Sequence, residues 1–572
     1  MALSPHRPLC KALLHKLGVP CLALCAATTM AAEPPRLVLQ ITVDALRGDM
    51  PQRNLHNMGK GGFRYLFDKG LHYSNAHYEH GNTETIVGHS SLATGTTPAL
   101  HGMVGNVWFD KDEGRLIYNV EDSRYHLLNT NADVDKSSEI DPTQRVALAD
   151  GRSPRALLTS TFSDELAYAY NGKSKIFAVS VKDRGAIPLA GQTGKAFWFS
   201  KAAGEFITSN YYYESYPQWV IDWNKANPLA QYSGKSWNLL KSPQDYLFGA
   251  DDDQPWETDF PGFGRVFPHA WGEQGDKYFT TKLTLSPAGD ELTLAFAKAV
   301  MENENLGQDA IPDYLSISFS SNDYVSHIFG PSSLEAEDVL LQLDRTLADL
   351  FSYIDNTVGL KNTLIVLSAD HGAPDALPYL AAQGDANAHY YDIQQCMDSV
   401  EAGLAQSPFG KYEGLLGQYS HPYVYLDQTV ISDAKLDGAA VAETVAALVQ
   451  QCEGVSEAIT ATDTKYSPAR NHVVETRVWN NYNARRSGDV YVVMDSNVYV
   501  NDFDGLIVAA THGSPWNYDT FVPIFFAGPG IDDESISRRV APYDIAPTLS
   551  ARLGIKPPSG TIGNPLEEVL ED

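Results

Sequence analysis

The chain has 572 residues, 43% hydrophobic and 20% charged, an ordinary balance for a folded soluble protein. Its formal net charge of −29 argues against nucleic acid or an anionic membrane surface as a partner. An anionic substrate would need metal ions, or a few placed lysines and arginines, to overcome that field.

The first element reads as a secretory signal. "MALSPHRPLCKALLHK" carries Arg7, Lys11 and Lys16, an apolar run "LGVPCLALCAA" follows, and small residues offer cleavage near Ala32. The run is too short for a transmembrane helix, and no other segment reaches the roughly 18 apolar residues of a membrane span. A periplasmic or secreted protein is expected. Loss of residues 1–32 removes three cations and no acid, so the net charge moves from −29 to −32. Cys10, Cys21 and Cys25 leave with that segment. Cys396 and Cys452 remain, either as one disulfide or as two free thiols.

Four continuous apolar runs follow: "RLVLQITVD" ending at Asp44, "SKIFAVSVKD", "DYLSISFSSND" ending at Asp323, and "NTLIVLSAD" ending at Asp370. Unbroken rather than alternating apolarity predicts strands covered on both faces of a mostly parallel sheet. Between the last two, Leu340, Leu343, Leu347, Leu350 and Ile354 recur at helical spacing. The fold class is therefore α/β, a mostly parallel central sheet with helices on both faces. Residues 33–572 are expected to form one catalytic domain. Two regions interrupt the alternation and are expected as inserted caps: about 190–290, rich in Trp and Tyr, and about 380–505, with a helix "DGAAVAETVAALVQQ" and a strand pair near "GDVYVVMDSNVYV".

In open α/β sheets the site lies beyond the carboxyl ends of the strands, where three aspartates stand here. One such Asp is as readily a turn or helix cap. Histidines accompany these three, however. Asp323 and His327 are four residues apart, which puts both on one face of a helix. Asp370 and His371 are adjacent, and "ATHGSPWNYD" supplies His512. With Asp44 this makes three carboxylates and three imidazoles, a mixed oxygen and nitrogen set suited to zinc.

The set, in this order, resembles the alkaline phosphatase superfamily, and "APYDIAPTLSARLGI" resembles its closing helix. The resemblance implies two zinc ions, one held by Asp323, His327 and His512, the other by Asp44, Asp370 and His371. It also gives meaning to "HGNTETIVGHSSLATGTTPALHGMVGN", which runs from His80 to Asn106. Phosphodiesterase-like members place a threonine nucleophile 21 residues before an asparagine in a phrase like "HGIVGN". Here Thr85 stands 21 residues before Asn106, and this spacing favours it over Thr83. Thr85 would be nucleophile and zinc ligand, at the start of a helix whose amides favour an alkoxide. Asn106 would donate to a phosphoryl oxygen. His89 and His101 are read as structural.

"SVKDRGAI" places Lys182 and Arg184 at alternate strand-end positions, so both could face one pocket. The bland reading is a surface ion pair through Asp183. The phrase resembles the phosphate-irrepressible, PafA-like alkaline phosphatases, where such a pair holds the charged oxygens of a monoester. The function expected is hydrolysis of small phosphate monoesters through a phosphothreonine, by a monomer with no polymeric nucleic acid as substrate. A phosphodiesterase or nucleotide pyrophosphatase on the same fold is the alternative. No C-x-P-x-R or S-x-P-x-R phrase marks a sulfatase, and the complete donor set argues against a silent metal-binding protein.

Overall fold

The structure, a computed structural model, describes residues 34–462, 472–500 and 506–570; the expected signal segment lies outside them. Residues 35 onward form one compact unit. Its frame is a nine-stranded sheet: β1 (Leu37–Val43), β2 (Leu71–His77), β3 (Ile176–Ser180), β4 (Lys195–Ser200), β5 (Glu205–Ile207), β6 (Asp313–Phe319), β7 (Thr363–Ser368), β8 (Phe521–Ala527) and β9 (Ser535–Ile536), in the spatial order β9-β2-β8-β7-β1-β6-β3-β4-β5. The core of the sheet, β7-β1-β6-β3-β4, is parallel throughout. Every residue of β1, β3, β6 and β7 is buried, because helices cover both faces, and this is why those runs do not alternate. The two expected strands β6 and β7 are not neighbours; β1 lies between them.

Register decides where the site falls. Thr42 pairs with Ser368 on one side and Ser318 on the other, and Ser318 pairs with Ser180. Four small hydroxyl residues thus form a row across four strands spaced roughly 4.8 Å apart. Two residues beyond that row come Asp370, Asp44, Ser320 and Lys182. Strand ends far apart in sequence are therefore brought into one line.

Four helices matter most to the site: α1 (Thr85–Thr94), α2 (Asp183–Ala190), α3 (Ser321–Phe329) and α4 (Leu334–Thr357), the last capped by the Ser333 hydroxyl accepting from Ala336 N–H. The expected leucine stripe of α4 is buried. The central sheet reaches into the first expected insertion, since β4 and the edge strand β5 lie within it. Within the second, helices Ile393–Ala405 and Gly438–Val449 pack a separate core against an antiparallel sheet of Leu416–Ser420, Tyr423–Leu426, Val490–Met494 and Val455–Thr460. A disulfide joins Cys396 to Cys452 there. The expected strand pair is corrected. Val490–Met494 and Val498–Val500 belong to different sheets, the second pairing with His389–Tyr391, because Asn497 turns the chain with φ 62°. No helix among the described residues is long and apolar enough to cross a membrane.

Candidate active site

All six expected metal ligands meet at the carboxyl ends of β1, β6 and β7. Asp323 and His327 sit one turn apart on α3, with His327 Nε2 3.4 Å from Asp323 Oδ1. His512 Nε2 lies 3.4 Å from the same oxygen. His371 Nε2 is 3.5 Å from Asp44 Oδ1 and 3.4 Å from Asp370 Oδ2, and its ring stacks on His512 at 3.6 Å. The donor atoms fall into two groups, Asp323 with His327 and His512, and Asp44 with Asp323 and His371. Asp323 is common to both.

The chemistry of these donors fits a divalent metal. Each histidine commits Nδ1–H to a backbone carbonyl: His327 to Ala510 at 2.8 Å, His371 to Gly372 at 2.9 Å, and His512 to Thr83 at 2.8 Å. That fixes which ring nitrogen faces the carboxylates, and an ion binding there would displace any proton from Nε2. Asp323 Oδ1, Asp370 Oδ2, His371 Nε2 and Thr85 Oγ1 are buried without a hydrogen-bond partner, an arrangement that is costly unless a ligand completes it. Burial, then the nearby Asp323 and Asp370, pushes the Asp44 carboxyl well above its usual value. Burial would also raise Asp323, but Lys182, His327 and His512 outweigh it and hold that carboxyl well below its usual range. Burial lowers His371 to about 3 and His327 to about 4, so both rings are neutral at pH 7, whereas Asp323 outweighs burial at His512 and raises it to about 9.

Local sequence explains the closeness. Ala45 adopts φ 58°, turning the chain after Asp44 so that its N–H donates to Asp370 Oδ1 at 3.1 Å. Gly88 lets α1 lie directly on the Asp370 backbone; an added Cβ would meet the Asp370 carbonyl oxygen at 1.9 Å. Thr85 is the first residue of α1, as "TIVGHSSLATG" implies, and Gly95 ends the helix with φ 66°. Asn106 Oδ1 accepts from Ile86 N–H at 3.2 Å, which leaves its amide hydrogens for another acceptor. An open pocket is lined by Thr85, Asn106, Arg184, Asp323, His327 and His512 among others.

The two cations differ from expectation. β3 ends at Ser180 and Lys182 caps α2, so Lys182 and Arg184 leave from a helix start and not from alternate strand positions. Arg184 lines the cavity. Lys182 is buried, its Nζ 2.7 Å from Asp44 Oδ2 and in contact with Asp323 Oδ2 and the face of Tyr324. The surface pair through Asp183 does not form: Asp183 instead accepts from Arg152 Nε at 2.9 Å and Tyr118 OH at 2.5 Å.

His101 is structural, as read, joined to Ser91 and to Met103 N–H. His89 has more to do than the sequence reading allowed. Its Nδ1 is 2.8 Å from the Thr85 carbonyl and 3.2 Å from Asp370 Oδ2, and its Nε2 is 2.8 Å from Ser318 Oγ. Sequence reasoning also missed Glu84, whose Oε2 accepts from Asn106 N–H at 2.7 Å, and Asp141, whose Oδ2 lies 2.8 Å from Arg184 Nη1. The first stands beside Thr85 in the quoted phrase, a signal that was available. Nothing local marks the second.

The profile of the family described as "Type I phosphodiesterase / nucleotide pyrophosphatase" matches residues 38–515. The chain belongs to that family. It is 35% identical to alkaline phosphatase PhoV of Synechococcus elongatus, over 94% of this chain and 93% of the relative. It is 34% identical to alkaline phosphatase PafA of Elizabethkingia meningoseptica, over 95% and 96%. The crystal structure of wild-type PafA superposes with a TM-score of 0.84 at 33% identity, covering 94% of this chain and 99% of that one. A PafA structure with a threonine, an asparagine, a lysine and an arginine substituted fits equally well, with a TM-score of 0.84 at 32% identity over 94% and 99%. The α/β fold and the reading as an alkaline-phosphatase-like enzyme are borne out.

Proposed function

We propose that this chain is an exported phosphate monoesterase that uses two zinc ions and a phosphothreonine intermediate. One observation carries the reading. Beside the unpartnered Thr85 hydroxyl, three imidazoles with Nδ1–H already committed converge on three carboxylates that retain unpartnered buried oxygens. Asp323, His327 and His512 would hold one ion and Asp44, Asp370, His371 and Thr85 the other. Bound there, the ions would lower the pKa of the Thr85 hydroxyl and stabilise the departing alkoxide.

Thr85 Oγ1, its proton passed to solvent, attacks phosphorus in line with the ester oxygen; the bond to that oxygen breaks, the departing alkoxide takes a proton from water, and the phosphoryl group passes to Thr85. The first amides of α1 favour negative charge at that oxygen. Asn106, its Oδ1 held by Ile86 N–H, offers Nδ2–H to a non-bridging oxygen. Water then displaces Thr85 in line and releases inorganic phosphate. Arg184 meets the charged oxygen that a monoester has and a diester lacks, while Lys182 orients Asp44 and Asp323 from below as well as adding positive charge. The residues substituted in the PafA mutant support the assignment: its threonine and asparagine are 21 positions apart and its lysine and arginine two, the spacing of Thr85 with Asn106 and Lys182 with Arg184.

The family's own description favours a phosphodiesterase or nucleotide pyrophosphatase as second reading. Hydrolysis of a nitrophenyl phosphate monoester against its bis-ester separates the two. The monoester should be strongly preferred, and faster turnover of the bis-ester would give the second reading the lead.

A further inference from the structure

Arg184 does not find its place alone. Its side chain is 96% buried with the rest of the residue, and burial by itself works against a charged guanidinium. Asp141 Oδ2 stands 2.8 Å from its Nη1, and Tyr118 OH 3.5 Å from the same nitrogen. Asp183 accepts from the Arg184 backbone N–H at 2.7 Å and is itself held by Arg152 and Tyr118. Arg184 Nε is buried with no partner, so protein acceptors do not saturate the guanidinium.

Asp141 is equally fixed. Its Oδ1 caps the helix Pro142–Arg145, accepting from Thr143 N–H at 2.9 Å and Thr143 Oγ1 at 2.6 Å. The carboxylate therefore cannot swing away without uncapping that turn, and its Oδ2, which also accepts from Gln144 Nε2 at 3.4 Å, is aimed at Arg184. Burial opposes the Asp141 charge too, yet Arg184 and the Thr143 contacts win and hold the carboxyl far below its usual range. Two buried charges of opposite sign thus fix each other at the cavity wall that both line.

We infer that Asp141 is a positioning residue for monoester selectivity: it holds the Arg184 guanidinium at the angle from which its remaining donors meet the extra charged oxygen of a phosphate monoester. The inference rests on the monoesterase reading above. It extends that reading from the residue that touches substrate to the one that aims it. Removing Asp141's charge lets the guanidinium rotate away from the substrate oxygen, and only the substrate possessing that oxygen notices. By analogy with the carboxylates that orient metal ligands, losing such a supporting partner should cost on the order of 10- to 100-fold in activity.

The test uses the full, metal-loaded chain and the substitution Asp141→Asn, because asparagine keeps the helix cap and removes only the charge. Asp141→Ser, also a capping residue, is the second variant should the first fail to fold. For the nitrophenyl monoester, kcat/KM should fall on the order of 10- to 100-fold, while the bis-ester value stays within about 3-fold. The drop in Asp141→Asn, Arg184→Ala together should be close to that of Arg184→Ala alone, since one group acts through the other. An unchanged monoester-to-bis-ester ratio in folded Asp141→Asn, with Arg184→Ala lowering it, overturns the inference and leaves the monoesterase reading standing. Full additivity of the two substitutions also overturns it. If Arg184→Ala itself leaves the ratio unchanged, the monoesterase reading of Arg184 fails, and this inference fails with it.

Discussion

The two halves of the site are built on opposite principles. On the donor side, Asp44, Asp323, Asp370 and His371 crowd together with buried atoms that no protein group satisfies, a set suited to binding metal ions. On the clamp side, each cation already has its carboxylate: Lys182 has Asp44 and Asp323, Arg184 has Asp141, and Arg152 has Asp183. On the proposed reading the first half is completed by two ions. The second is preorganised and changes little on binding. Chemical power should therefore depend on the donor side and Thr85, and selectivity on the clamp.

Substitutions can break that division of labour. The largest effect is expected at Thr85. Thr85→Ala should remove nearly all turnover of monoester and bis-ester alike, whereas Thr85→Ser keeps a hydroxyl and should retain measurable activity. A chiral phosphate substrate should show net retention at phosphorus, because two in-line displacements cancel; inversion would mean direct attack by water.

Next comes Arg184→Ala. Removal of one preorganised charge-stabilising donor typically costs on the order of 10²–10³ in rate, here expected for the monoester with a much smaller loss for the bis-ester. Lys182→Ala should behave differently from a pure clamp residue, since it also releases Asp44 and Asp323. Its loss should appear in zinc content as well as in selectivity, and an unaltered zinc content would return Lys182 to a purely substrate-facing role.

Smallest is an ion pair outside the site. Arg538 meets Glu568 through two contacts of 2.6 Å, and this pairing holds the Glu568 carboxyl near 2, below its usual 4.5. A lowered folded value means stability that is fully present above about 4.5 and is lost as pH falls towards about 2. Because the pair is half-exposed, Glu568→Gln should lower Tm at neutral pH by no more than about 2 °C, with the difference from wild type closing in acid. A constant difference down to the acid limit would show that packing, and not charge, is what the substitution removed.

Much of the donor side was legible in the sequence, because continuous apolar runs ending in Asp44, Asp323 and Asp370 predict parallel strands whose ends share one edge. Thr85 and Asn106 followed from spacing and resemblance together. The clamp was read less well. Lys182 and Arg184 were recognised, but a strand continuing past Ser180 was assumed where a helix begins. Asp141 and Arg152 lie more than 30 residues from Arg184 and Asp183, and charge partners of that kind leave no local pattern. The cap strands failed for a smaller reason: Asn497 takes a left-handed turn that separates two runs which, by pattern alone, read as a strand pair.

The most direct test of the central claim is elemental analysis of the purified chain combined with monoester turnover before and after chelation. The account predicts about two zinc ions per chain, one of them lost in Asp370→Ala, and activity that disappears on chelation and returns with zinc. Full monoester turnover in the exhaustively chelated protein would contradict it.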